Sequence, residues 1–85
     1  MIYRYQPQGV CSREMEIEIS DDKQSIRSLK IIGGCPGNTL GLSRLVTGMK
    51  IDDAIAKLDG IRCGGKPTSC PDQLARALKA IKEKI

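Results

Sequence analysis

The chain has 85 residues, 14 Lys and Arg against 10 Asp and Glu, a net charge of +4, four cysteines, two tyrosines and no His, Trp or Phe. Residues 1–85 are read as one small domain; a chain this short buries only roughly 60% of its unfolded surface, and here Ile, Leu, Val and Met must fill the core. The lack of histidine excludes Ser-His and Cys-His catalytic pairs, mixed Cys-His zinc fingers and histidine metal ligands.

In chain order, Tyr3 and Tyr5 flank Arg4 and predict a short edge strand before Pro7 and Gly9. Met15, Ile17 and Ile19 then alternate with Glu14, Glu16 and Glu18, the period of two that puts apolar side chains on one sheet face and carboxylates on the other. Asp21-Asp22-Lys23 is a polar turn, and Ser25 to Ile32 reads as the next strand, broken by Gly33-Gly34. Leu42, Leu45, Val46 and Met49 follow the spacing of one helical stripe, with Gly48 near its end. Ile51, Ala54, Ile55 and Leu58 predict a second short helix. Asp52 and Asp53 suit its first turn and Gly60 suits the position just past its end. A Gly- and Lys-rich loop, 61–69, leads to a last helix carrying Leu74, Ala77, Leu78, Ile81 and Ile85. Strands followed by helices predict an α+β fold, a three-stranded antiparallel sheet covered on one face by three helices. Its expected core is Met15, Ile17, Ile19, Leu45, Ile55, Leu58, Leu78 and Ile81.

The N-terminal Met-Ile-Tyr-Arg-Tyr-Gln-Pro has no apolar signal segment, and the apolar runs are too short to span a membrane, so a cytoplasmic protein is expected. In that compartment four cysteines point to metal binding or thiol chemistry before disulfides. Part of the positive charge is Lys79, Lys82 and Lys84, where cations favour a helix C-terminus. Without aromatics interleaved in a basic patch, no nucleic-acid partner is expected.

Each cysteine falls at a junction between elements. Cys11 precedes the long strand, Cys35 follows the glycine break, Cys63 lies in the glycine-rich loop and Cys70 opens the last helix. Cys35-Pro36 and Cys70-Pro71 each precede a helical pattern; proline favours the first helical position, which predicts both cysteines as N-caps. A thiolate there has a lowered pKa. With no Cys-x-x-Cys pair, the site must be assembled by the fold. Four thiolates suit Zn²⁺ and an iron–sulfur cluster alike. A redox pair of Cys63 and Cys70 is the alternative thiol chemistry. With no histidine or other clear base, hydrolysis and acyl transfer have no support.

Thr68-Ser69-Cys70-Pro71-Asp72 resembles the signature of the TSCPD domain, and Gly34-Cys35-Pro36-Gly37-Asn38 fits the same family, so the resemblance covers residues 3–85. It implies a small four-cysteine relative of the C-terminal domain of vitamin B12-dependent ribonucleotide reductases, with such a reductase as partner. The chain has no room for the barrel of such an enzyme, so it is expected to be an accessory or interaction module, not a ribonucleoside-diphosphate reductase acting alone. From Gly33 to Lys84 the chain is also similar to NifU/IscU-type iron–sulfur scaffolds. The likeness is carried by Cys35, by Leu45-Val46-Thr47-Gly48-Met49-Lys50-Ile51-Asp52-Asp53-Ala54 and by Ser69-Cys70 ahead of the last helix. It implies iron–sulfur assembly proteins as partners and sets Cys11, Cys35 and Cys70 on the scaffold cysteines. Arg13 stands where the scaffold has aspartate, Ser69 where it has histidine, and Cys63 is additional. These departures favour a permanently held metal on Cys11, Cys35, Cys63 and Cys70 over transient cluster assembly.

Overall fold

A computed structural model describes residues 2–7, 9, 12–33, 36–62, 65 and 67–84, without the side chains of 12 and 36–39. The elements are β1 (Ile2–Tyr5), β2 (Ser12–Ile19), β3 (Ile26–Gly33), α1 (Pro36–Val46), α2 (Ile51–Leu58) and α3 (Cys70–Lys84). The strands form one antiparallel sheet in the order β1-β2-β3, the expected α+β arrangement.

The register carries the alternation read from β2 across the sheet. Tyr3 and Tyr5 pair with Ile17 and Met15, which pair in turn with Leu29 and Ile31. Met15, Ile17 and Ile19 are wholly buried, while the alternating glutamates are half-buried on the other face. Two irregularities adjust this pattern. Ile19 pairs with Ile26 and Glu18 with Ser28, so Arg27 is an extra residue on β3. That bulge brings Ile26 and Leu29, three apart, to the same buried face. Arg13 is likewise extra on β2, between the Ser12–Gly33 and Glu14–Ile32 pairs. Gly33 opposite it has φ +83, and a Cβ there would lie 3.2 Å from the Arg13 nitrogen, so this position requires glycine.

The β2–β3 turn is held by its own side chains. Asp22 accepts bonds from the Ser20 hydroxyl (2.5 Å) and the Gln24 amide (3.0 Å), which hold its carboxyl below the usual range. The segment after α1 then docks on the start of β3: Ile26 N donates to the Met49 carbonyl and Gly48 N to the Ile26 carbonyl, each at 2.8 Å. Ile51 N donates to Gln24 O, which fixes where α2 begins. Gly60, φ +83, stands just past the Asp59 C-cap, as expected.

Helix α1 packs on β3 and α2 on α3. One apolar core joins the inner sheet face to Leu42, Val46, Ile51, Ala54, Leu58 and the inward residues of α3; Ile55 is partly buried against it. One expected core residue is corrected. Leu45 is 65% exposed. Leu42 and Val46, one turn apart, point inward with half-buried Ser43 beside them. Leu45 lies about 100° round the helix from Val46, on the side away from Ser43. Met49 lies beyond the end of α1, half-buried in the segment docked on β3. Helix α3 is more deeply embedded than its stripe suggests: Asp72, Gln73, Leu74, Ala75, Ala77, Leu78 and Ile81 are all buried.

Candidate functional site

The first turn of α3 is built by the residues around Cys70. The Ser69 carbonyl accepts the first helical bond from Gln73 N (2.8 Å), and the Ser69 hydroxyl accepts from Asp72 N (3.2 Å). Ser69 is therefore the N-cap and Cys70 the first helical residue, a shift of one from the expectation. The physical reason is that a hydroxyl is the stronger acceptor for an amide of the first turn, and Pro71 needs no partner for its missing N–H at either of the first two positions. The Ser69 hydroxyl also donates to the Ile61 carbonyl at 2.6 Å, fastening the α2–α3 loop to the cap.

A second set of bonds centres on Asp72, only 2% exposed. Its carboxylate accepts from the Thr68 hydroxyl at 2.5 Å and from the Gly60 amide at 2.7 Å, and pairs with the Arg76 guanidinium at 3.2 Å. The Thr68 hydrogen bond, then that of Gly60, then the positive charges of Arg76 and Lys79 hold the carboxyl below its ordinary range, against the opposing effect of burial. Thr68 Oγ1 accepts in turn from Gln73 Nε2 at 2.9 Å, and Gln73 Oε1 accepts from the Tyr5 hydroxyl at 3.3 Å. A continuous chain of side chains thus runs from β1 to the end of α2 through the start of α3. Among the described residues no buried side-chain nitrogen or oxygen lacks a partner.

Of the expected site residues, Cys70 is half-buried at the foot of this network and packs against the core. Cys11, Cys35 and Cys63 lie outside the described residues. Among the described residues no group of three His, Cys, Asp or Glu is placed to hold a metal ion. The chain segments next to the cysteines do meet. Gly9 abuts Thr68, since a Cβ on Gly9 would lie 3.3 Å from the Thr68 methyl. Ile61 is bonded to Ser69, and Ser12 pairs with Gly33. The sequence marks Tyr5 only as an edge-strand residue and Thr68 and Asp72 only as part of the family signature; the hydrogen bonds that join them and Gln73 were not expected. The Ser69-x-x-Asp72 spacing, that of a capping box with aspartate as its acid, was the available signal.

Three antiparallel strands and three helices, the last with a hydrogen-bonded start, define a small α+β domain. A family model of the TSCPD domain matches residues 1–82, and the chain belongs to that family. No curated protein and no solved structure matches it, so the likeness to NifU/IscU-type scaffolds rests on residue order alone. Among the described residues no helix is long and apolar enough to cross a membrane.

Proposed function

We propose that this domain holds one metal centre, Zn²⁺ or an iron–sulfur cluster, on Cys11, Cys35, Cys63 and Cys70, and serves as an accessory to ribonucleotide reduction. The observation that carries the metal site is the meeting of the flanking segments. Cys11 lies two residues after Gly9 and one before Ser12; Cys35 lies two after Gly33, and Cys63 two after Ile61. Gly9 and Ile61 meet Thr68 and Ser69, next to Cys70, and Ser12 meets Gly33. Two residues of chain span at most about 7 Å, so these meetings support a shared site without fixing where the thiols lie. The link to ribonucleotide reduction is supported by the family resemblance, with a reductase as the expected partner.

The test is elemental analysis with an absorbance spectrum on protein purified without air. Stoichiometric zinc or iron is expected. Cys35→Ser and Cys70→Ser are expected to abolish it, and Cys63→Ser, in the glycine-rich loop, to weaken it. A preparation that contains neither metal and takes up neither on addition refutes the proposal.

A further inference from the structure

We propose that the cleft between the β2–β3 turn, the start of α2 and the end of α3 binds the phosphate group of a small phosphorylated molecule. The cleft measures about 430 Å³, within the range of roughly 300–1,000 Å³ of small-molecule sites. Three lysines from three separate elements line it: Lys23 from the turn, Lys50 just before α2 and Lys82 from the last turn of α3. Lys82 is paired with Asp52, while the Lys23 and Lys50 ammonium groups have no acid partner among the described residues. Asp22 is the other carboxylate of the lining, and it already accepts from Ser20 and Gln24. Both negative groups are therefore engaged, and two of the three cations are not.

The backbone that carries these charges is fixed. Ile51 N donates to Gln24 O at 2.9 Å, and Ser25 and Lys50 form an antiparallel bridge, so the start of α2 is tied to the turn. Lys23 N donates to Ser20 O at 2.9 Å within that turn. Lys50 is the N-cap of α2 and makes no side-chain cap bond. For stability alone Ser, Thr, Asp or Asn is favoured there, and a cation opposes the helix dipole. A phosphate group in the cleft offsets these costs together: it suits the dipole and the uncapped amides, and it neutralises Lys23 and Lys50 by charge-assisted bonds. No aromatic residue lines the cleft, so recognition falls on the phosphate and not on stacking with a ring. The cleft is also separate from the thiol end, since Lys82 lies in the last turn of α3 and Cys70 in the first.

The test is titration of the isotope-labelled full chain, followed by backbone amide NMR shifts at constant ionic strength. The probes are inorganic phosphate, pyrophosphate and glycerol phosphate, with citrate as an anion that carries no phosphate. Saturable shifts are expected at the amides of Lys23, Gln24, Asp52 and Asp53 with a phosphate probe and not with citrate. The probe that saturates at the lowest concentration separates free phosphate, a diphosphate and a phosphate ester as the source. Lys23→Gln and Lys50→Gln should each weaken binding about 10-fold, as loss of one charge-assisted hydrogen bond does. Lys30→Gln removes the same charge from an exposed position on β3, outside the cleft, and should leave binding unchanged. All three lysines are exposed, so each variant should keep the wild-type amide spectrum before ligand is added. Absence of saturation with every phosphate probe overturns the proposal, as does equal binding of citrate. An equal loss in Lys30→Gln and Lys50→Gln also overturns it, since it would mean attraction to the overall charge of the chain.

Discussion

Removing the Asp72 carboxylate tests whether the start of α3 is held as described. In Asp72→Ala the buried Thr68 hydroxyl and the partly buried Gly60 amide both lose their acceptor. A buried donor left unsatisfied costs roughly 1–3 kcal/mol, so the two together should cost about 2–4 kcal/mol. A domain of this size has a total stability of roughly 5–15 kcal/mol. Asp72→Asn should cost less, about 1–2 kcal/mol, because its remaining oxygen can still accept from Gly60. Its amide would face Thr68 Oγ1, which already accepts from Gln73, and the Thr68 proton would be left without an acceptor. Urea unfolding followed by circular dichroism, with a chelator present throughout, reads both values. At a slope of roughly 1–3 kcal/mol/M, Asp72→Ala should lower the midpoint by about 0.7–4 M.

The same residue gives a pH dependence with a definite sign. The folded-state pKa of Asp72 is depressed, chiefly by the Thr68 bond and then by Gly60. A depressed carboxyl contributes its stability fully above its unfolded value, about 3.9, and loses it as the pH falls through the lower folded value. The stability gap between wild type and Asp72→Asn should therefore be constant from neutral pH to about 5 and narrow below about pH 4. An Asp72→Ala midpoint equal to that of the wild type, or a gap of the same size at about pH 3 as at pH 7, refutes the placement of this carboxylate.

Other positions test the remaining architecture. Leu78, fully buried on α3, should cost about 2–5 kcal/mol on truncation to Ala, read as a shift of the urea midpoint. Leu45→Ala should change stability by no more than about 0.5 kcal/mol, since its side chain is largely in water; a loss on the scale of Leu78→Ala would restore Leu45 to the core. Gly33→Ala should destabilise by at least about 1–2 kcal/mol, from the left-handed backbone and the contact with Arg13 together. A neutral Gly33→Ala would mean that β2 and β3 do not meet at that bulge.

The fold was legible where one pattern decided the outcome. The Met15-Ile17-Ile19 alternation specifies a face, and every residue of it is buried. The Ile51, Ala54, Ile55, Leu58 stripe, with Ile55 partly buried, and the Gly60 stop hold for the same reason. Periodicity could not place Leu45, because a stripe fixes an arc of a helix and only packing against β3 decides which edge of that arc turns inward. Nor could it show the bulges at Arg13 and Arg27, which arise from pairing between strands and leave no mark within either one. At the start of α3, the Cys70-Pro71 pair located the helix start but not the cap. The competition between the Ser69 hydroxyl and the Cys70 thiol for the same amide is settled by acceptor strength, which spacing does not record.

The polar interactions of α3 differ between its two ends. Along the rest of α3, Lys79 pairs with Asp59 and Lys82 with Asp52, and both pairs lie across the antiparallel contact with α2 in solvent. They account for two of the C-terminal lysines as clamps on α2 and not simply as charges at a helix end. Exposed pairs of this kind contribute about 0–1 kcal/mol and are screened by salt. Asp72 stands at the opposite end of the same helix, with the Thr68 hydroxyl that donates to it and Gln73 buried beside it. High salt should therefore loosen the α2 contact while sparing the Thr68–Asp72–Gln73 bonds, since screening acts on exposed charges far more than on buried ones. A core with two tyrosines and no larger aromatic residue has little apolar area with which to fix three separate loops. Directional bonds from Thr68, Ser69, Asp72 and Gln73 supply that order, and they do so at the one helix start that carries a cysteine among the described residues.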